Sequence, residues 1–222
     1  MISLTILRGI PQQVTESVDE SLLIPMATLS KEIHVEYQKS NIDLRTHYTR
    51  EAVIEFCKKT QFVKTLVNAV PMGGFKFSIP EFERFIVIDI DSVTVIRDGV
   101  ELVIGDAPKA YEPYYVRETQ STFRIENTDF VDNSAKATLA IAPAYLTDVM
   151  HKTVYDQYKD VVLNGVRASL CFMSGQEWSD PQKADFYRRL FLEGIDNATG
   201  DVTRNYSRTQ TIDRTDVRRD YF

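Results

Sequence analysis

The period at which apolar residues recur changes twice along this 222-residue chain, and that alternation limits what it can fold into more than any other feature. From Ile42 the recurrence is by four: Leu44, Tyr48, Ala52 and Phe56 share one face, with Val53 and Cys57 beside them, as in an amphipathic helix. Ser40 or Asn41 can cap its first turn, and Lys58 and Lys59 stand where the negative end of the helix dipole favours cations, so the spacing predicts a helix over 42–60. From Phe62 to Ala142 the recurrence is by two, β-branched and aromatic residues are frequent, and turn signals such as Met72-Gly73-Gly74 and Arg97-Asp98-Gly99 punctuate the run. After Pro143 the helical period returns, with Leu146, Met150, Val154, Tyr158, Val161, Gly165, Ser169 and Phe172 on one stripe. Ser174-Gly175 ends that helix, and Ser179-Asp180-Pro181-Gln182 begins another, with Ser179 and Gln182 at capping-box spacing.

The architecture expected is α+β: a helical bundle with helices at about 42–60, 147–173 and 181–199, an inserted antiparallel β-sandwich or barrel, and an extended C-terminal arm. In domain terms, residues 1–61 with 145–200 form the helical part, 62–144 the β-domain and 201–222 the arm. Residues 1–41 read as short pieces and loop, because Ile10-Pro11 and Ile24-Pro25 interrupt any long helix. Gly165, with Ala168 and Ser169, offers a small-residue patch for a close helix crossing; Phe56 lies on the buried face of the first helix, and Trp178 plugs the hinge between the last two. Gly200 is expected to close the final helix. Beyond it, Arg204, Arg208, Arg214, Arg218 and Arg219 alternate with aspartates, interspersed with Tyr206, Ile212, Val217, Tyr221 and Phe222, a segment with too little apolar surface to fold alone.

Chemistry is sparse. Ser174 lacks a nucleophile elbow, the histidines His34, His47 and His151 are scattered, and Cys57 and Cys171 have no second ligand at metal spacing and read as small core hydrophobes. Asp89 and Asp91 share a strand face but read as the polar side of a half-exposed strand. No catalytic residue, metal or cofactor is assigned, and an enzyme is not expected. The longest apolar run, Leu139 to Leu146, is far short of the ~18 residues of a membrane span, and no secretory signal is visible at the N-terminus. A net charge of −6 with no run of five like charges excludes a general nucleic-acid-binding footprint.

Two phrases carry a resemblance. Tyr48-Thr-Arg-Glu-Ala-Val-Ile-Glu-Phe-Cys-Lys-Lys-Thr60 resembles the "alanine, two residues, glutamate-phenylalanine-cysteine, threonine" helix of head-to-tail adaptors (connector, tail tubular protein A-like) of tailed bacteriophages. Tyr155-Asp-Gln-Tyr158, Asn164-Gly-Val-Arg-Ala-Ser-Leu170, Trp178-Ser-Asp-Pro-Gln-Lys-Ala184 and Phe191-Leu-Glu-Gly-Ile195 are similar, in order and spacing, to that family's second pattern. Asp180 stands where asparagine is more usual, and Val166 where alanine is usual. The resemblance implies a structural virion protein, made in the host cytoplasm and sited at the head-tail junction. There a homo-oligomeric, dodecameric ring would sit below the portal protein, extend the DNA channel and dock a downstream tail, nozzle or stopper protein, with DNA passing through unread and no membrane involved. The segment from Asp201 to Phe222 would then anchor on a neighbouring subunit or the portal. A stopper or terminator of the same neck, or a tail-associated host-binding module, are the alternatives.

Overall fold

The computed structural model describes residues 18–97, 99–108, 112–128 and 131–213, with the backbone alone for 97, 131–133 and 205–213. The chain divides into two compact units, and three of the boundaries between them fall within long strands. One unit holds Val18–Thr65, Arg84–Asp91 and the chain from Thr138 onward; the other holds Leu66–Glu83 and Ser92–Ala137.

In the first of these, a 3-10 turn (Glu20–Leu22) leads into strand β1 (Leu23–Pro25) and helix α1 (Ala27–His34), whose Leu29 and Ile33 are fully buried. Helix α2 runs Ile42–Thr60. Asn41 Oδ1 accepts the Asp43 N–H at 3.1 Å to satisfy one of its unpaired first-turn donors, and Gln61 turns into the left-handed region at its end. Helix α3 (Lys152–Phe172) and helix α4 (Pro181–Asp213) complete the helical part. Helix α3 is interrupted at Tyr158, where φ −129° and ψ 17° leave the helical region. Three aromatic rings fill the break: Tyr158 lies 5.1 Å from Phe56 and 4.8 Å, edge-on, from Phe62.

The remaining strands are β2 (Lys64–Gly73), β3 (Lys76–Ser78), β4 (Phe85–Arg97), β5 (Val100–Ile104), β6 (Tyr114–Arg117), β7 (Thr122–Glu126), β8 (Val131–Pro143) and β9 (Val149–His151). Strands β2 to β8 form one seven-stranded sheet in the order β5-β4-β8-β2-β3-β7-β6, while β1 and β9 pair separately. In the second unit the sheet curls around Phe77 and Phe123, stacked at 5.4 Å, with Tyr115 edge-on to Phe123 at 6.1 Å. Val67, Val93, Val95, Ile104 and Ile125 close that core. The curl brings Tyr115 N–H to Gly105 O at 3.0 Å, so the ends of two outer strands meet.

Four expectations are corrected. The helical bundle carrying a sandwich or barrel is not what forms: strand makes up 32% beside 42% helix, and the β-part is a single curled antiparallel sheet, a half-barrel, with a small second sheet. Two long strands, β4 and β8, of thirteen residues each, supply much of the difference. Helix α3 begins at Lys152 rather than 147, because Val149–His151 pairs with Leu23–Pro25. Leu146, placed on the helical stripe by spacing, is 90% exposed. The cap of α4 is Asp180 and not Ser179: its carboxylate accepts the Lys183 N–H at 3.1 Å, with Pro181 at the first helical position. Finally, the extended arm is helical as far as Asp213. Gly200 does not stop α4, since a lone glycine costs a helix only about 1 kcal/mol. Thr199 and Thr203 hydroxyls donate to carbonyls one turn back, and Arg204 pairs with Asp201 at 2.6 Å.

Candidate functional site

Helices α2, α3 and α4 meet at Gly165. A Cβ there would lie 3.1 Å from Ala52 Cβ and 3.1 Å from Phe191 Cε2, so three helices approach closely through a position where even one added carbon would be tight. Gly194 is tighter still. A Cβ at Gly194 would stand 2.5 Å from Val161 Cγ1, and sequence reasoning singled out Gly165 while passing over this position, although both glycines sit on helix faces marked by the same apolar period. Phe56 and Phe191 are fully buried around this junction.

Ion pairs clip the helices from outside. Glu55 receives both arms of the Arg188 guanidinium at 2.9 and 2.7 Å and also Lys59 at 2.8 Å; Arg188, then Lys59, hold its carboxyl below the usual carboxylate range. Glu36 takes Arg167 in the same forked way at 2.9 and 2.6 Å, and that guanidinium lies 5.6 Å from the Tyr187 ring. Glu32 accepts the Tyr155 hydroxyl at 2.7 Å and pairs with Lys159 at 3.3 Å, which lowers its pKa. Tyr158 O–H donates to Asp201 at 3.2 Å, so the break in α3 is tied to α4.

Arg45 is another residue that the sequence did not mark. It is 5% exposed, and its Nη1 donates to the carbonyls of Tyr37 at 3.2 Å and Ser40 at 2.7 Å. Its Nε has no hydrogen-bond partner, nor has the buried Nε1 of Trp178 in the 173–180 connection. Arg45 therefore holds the turn between α1 and α2 through backbone oxygens, a role that looks in sequence like any helical arginine.

Contacts between Glu36 and Arg167, Tyr37 and Cys171 (3.0 Å), and Lys39 and Glu177 gather the C-terminal ends of α1 and α3 with the 173–180 connection, and Arg167 over the Tyr187 ring adds the start of α4. That end carries Phe172, 75% exposed, and Val35, 73% exposed, with Ile42 and Phe186 also exposed. Apolar side chains collected at one end of a helical unit suit burial against another protein.

The residues weighed for chemistry are dispersed. Asp91 is taken by Lys64 at 2.6 Å, and Asp89 Oδ1 accepts the N–H of Ile90. His47 faces Glu51 at 3.4 Å, His34 is exposed, and Ser174 is exposed in the 173–180 connection. His151 caps α3, its Nδ1 accepting from Thr153 N–H at 3.4 Å and facing the Thr153 hydroxyl at 2.7 Å, and burial lowers its pKa. Burial pushes the Cys57 thiol up to about 12, while Cys171 faces the Tyr37 hydroxyl, whose pKa is raised by burial and by that contact. Among the described residues no group of three or more His, Cys, Asp and Glu side chains could hold a metal ion, and no helix is long and apolar enough to cross a membrane. A groove of about 360 Å³ in the sheet unit is lined by Asn68, Thr94, Ile96, Ser134 and the pair Glu101 and Lys136, which neutralise each other at 2.8 Å.

Of the arm residues, Arg204 is exposed and paired with Asp201, and Tyr206, Arg208 and Ile212 lie on the last turns of α4. Arg214, Val217, Arg218, Arg219, Tyr221 and Phe222 lie outside the described residues. No protein-family model matches the chain, and no curated protein is significantly similar to it.

Proposed function

We propose that this chain is a ring-forming head-to-tail adaptor of a tailed bacteriophage, a structural and non-catalytic virion subunit that sits below the portal protein, extends the DNA channel and docks the next tail component. One observation carries the reading. The phrases that resemble the adaptor family are far apart in sequence, yet Ala52 of the first, Gly165 of the second and Phe191 of the last are the residues that meet at the three-helix junction. Spacing shared with a family is most informative when it falls on the atoms that pack.

Other features are consistent with the role. The exposed apolar end around Phe172 and Val35 offers surface for a neighbouring copy or the portal. A net charge of −6 suits a channel wall past which DNA slides, because affinity for the phosphate backbone needs clustered cations. A stopper or terminator of the same neck is the second reading, favoured by the seven-stranded curled sheet, since such proteins are rich in strand.

Antibody labelling of intact particles in the electron microscope is the test. Label at the head-tail junction is expected, and label at a tail tip, or none on the particle, overturns the reading. Direct capture of the purified chain by the isolated portal distinguishes adaptor from stopper, because a stopper binds only after the adaptor has assembled.

A further inference from the structure

Helix α4 is packed over only part of its length. Ala184, Phe191, Ile195 and Ala198 recur along its buried face, and among the described side chains Ala198 is the last of the helix to be buried. The helix continues to Asp213, yet Asp201 and Val202 are half-buried and Thr203 and Arg204 exposed. The stretch 201–213 makes roughly three and a half turns, a length at which a helix is marginal in water unless something holds it. Two features stand where the packing ends. Gly200 is the first, a residue that surrenders more backbone freedom than any other on entering a helix, and a Cβ there would meet only Arg204 Nη2 at 3.9 Å, so no neighbouring element closes on it. Asp201 is the second. Its Oδ2 accepts the Tyr158 O–H at 3.2 Å, which crosses to α3, while its Oδ1 accepts from Arg204 at 2.6 Å and the Thr203 hydroxyl donates to Thr199 O at 3.0 Å, both within α4. The Tyr158 ring is itself fixed against Phe56 and Phe62 at the break in α3, and its hydroxyl reaches α4 from that anchored position.

We infer that α4 works as two parts: a packed helix as far as Ala198, and a helical strap, 201–213, that opens as a unit on a pivot at Gly200, with the Tyr158–Asp201 hydrogen bond as its latch. Helices α3 and α4 run antiparallel, since Gly165 meets Phe191 and Tyr158 meets Asp201, so the closed strap is directed past the first turns of α3. Opening frees the strap and that side of α3 together. A hydrogen bond between two half-buried groups nets little over the bonds each makes to water, which keeps the closed and open forms close in free energy and the opening reversible. The rest of the unit is spared, because its ties lie elsewhere: Phe191 at the three-helix junction and Arg188 on Glu55 both belong to the packed part. The strap stands on the helical unit alone and is independent of the adaptor reading.

Amide hydrogen exchange on the full chain tests it. In the unaltered protein the amides of 201–213 are expected to exchange together and about tenfold or more faster than those of 184–198. Tyr158→Phe keeps the ring between Phe56 and Phe62 and removes only the latch, and it is expected to speed exchange over 201–213 about twofold to tenfold while 184–198 stays as it was. Gly200→Ala stiffens the pivot and is expected to slow the same amides about twofold to fivefold, a change of opposite sign that no loosening of the fold could imitate. Exchange of 201–213 in step with 184–198 overturns the inference, because α4 then opens as one helix. So does an unchanged rate over 201–213 in Tyr158→Phe, or an equal acceleration of both parts, since the hydrogen bond would then latch nothing or hold the whole unit; an unchanged or faster rate in Gly200→Ala removes the pivot.

Discussion

His151 shows how one side chain can couple the fold to pH. Its ring nitrogen accepts a hydrogen bond at the start of α3, which only the neutral imidazole can do, and the positive end of a helix dipole disfavours the charged form further. Its pKa lies below the ordinary 6.5, so the unfolded chain binds the proton more readily than the folded one. The stabilisation is complete above pH 6.5 and is lost as pH falls from there through the folded value. His151→Asn keeps an acceptor at the cap without the titration, and its melting temperature should change less between pH 7 and pH 5.5 than that of the unaltered protein. The two junction glycines separate in the same way. Gly165→Ala gains about 1 kcal/mol of helix propensity against a contact that must yield a few tenths of an ångström, and the net change in denaturation midpoint should be small. Gly194→Ala meets Val161, a β-branched residue with one favoured rotamer in a helix, and should destabilise by about 1–2 kcal/mol.

At the scale of elements, what could be read from sequence was what local chemistry decides. Helix α2 was legible because Asn41, the spacing by four and the terminal lysines agree with one another. Strand β9 was not legible. Met150 continues a four-residue spacing from Leu146 to Val154, and only the distant Leu23–Pro25 makes a strand of Val149–His151. The length of β4 was hidden for a similar reason: Asp89 and Asp91 give Ile88-Asp-Ile-Asp-Ser92 a polar face, but the burial that joins it to Val93–Ile96 comes from neighbouring strands. Gly200 was misread because its residue type suggests a terminus while its backbone, lacking a positive φ, shows a helix interior. Gly200→Ala provides a direct check. An added Cβ would find only the Arg204 guanidinium, at 3.9 Å, so the substitution should stabilise by about 0.5–1 kcal/mol, whereas a glycine at a left-handed helix end would make it destabilising. Thermal denaturation monitored by far-UV circular dichroism reads the sign.

For the whole molecule, the junction residues were visible in sequence as a family-like spacing, but their meeting was not, because contact between phrases so far apart is a property of the tertiary fold alone. The same holds for the apolar end formed by Val35, Phe172 and Phe186, where no single residue is unusual. If the proposed adaptor role is correct, the C-terminal residues belong to assembly and not to folding. A chain ending at Arg204 retains Asp201 and its bond to Tyr158, and should keep its helical spectrum and cooperative melting yet fail to form rings on the portal. Ring formation by that truncation, seen by negative-stain microscopy, would refute the assignment of assembly to the tail. The ties that close the helical unit also determine when it can form. Tyr37 reaches Cys171 across 134 positions and Arg188 reaches Glu55 across 133, so α1 and α2 leave the ribosome long before their partners exist. High contact order of this kind slows folding, and a nascent chain whose Leu29, Ile33 and Phe56 await helices made more than a hundred residues later is a natural client for the chaperones of the cell that makes it.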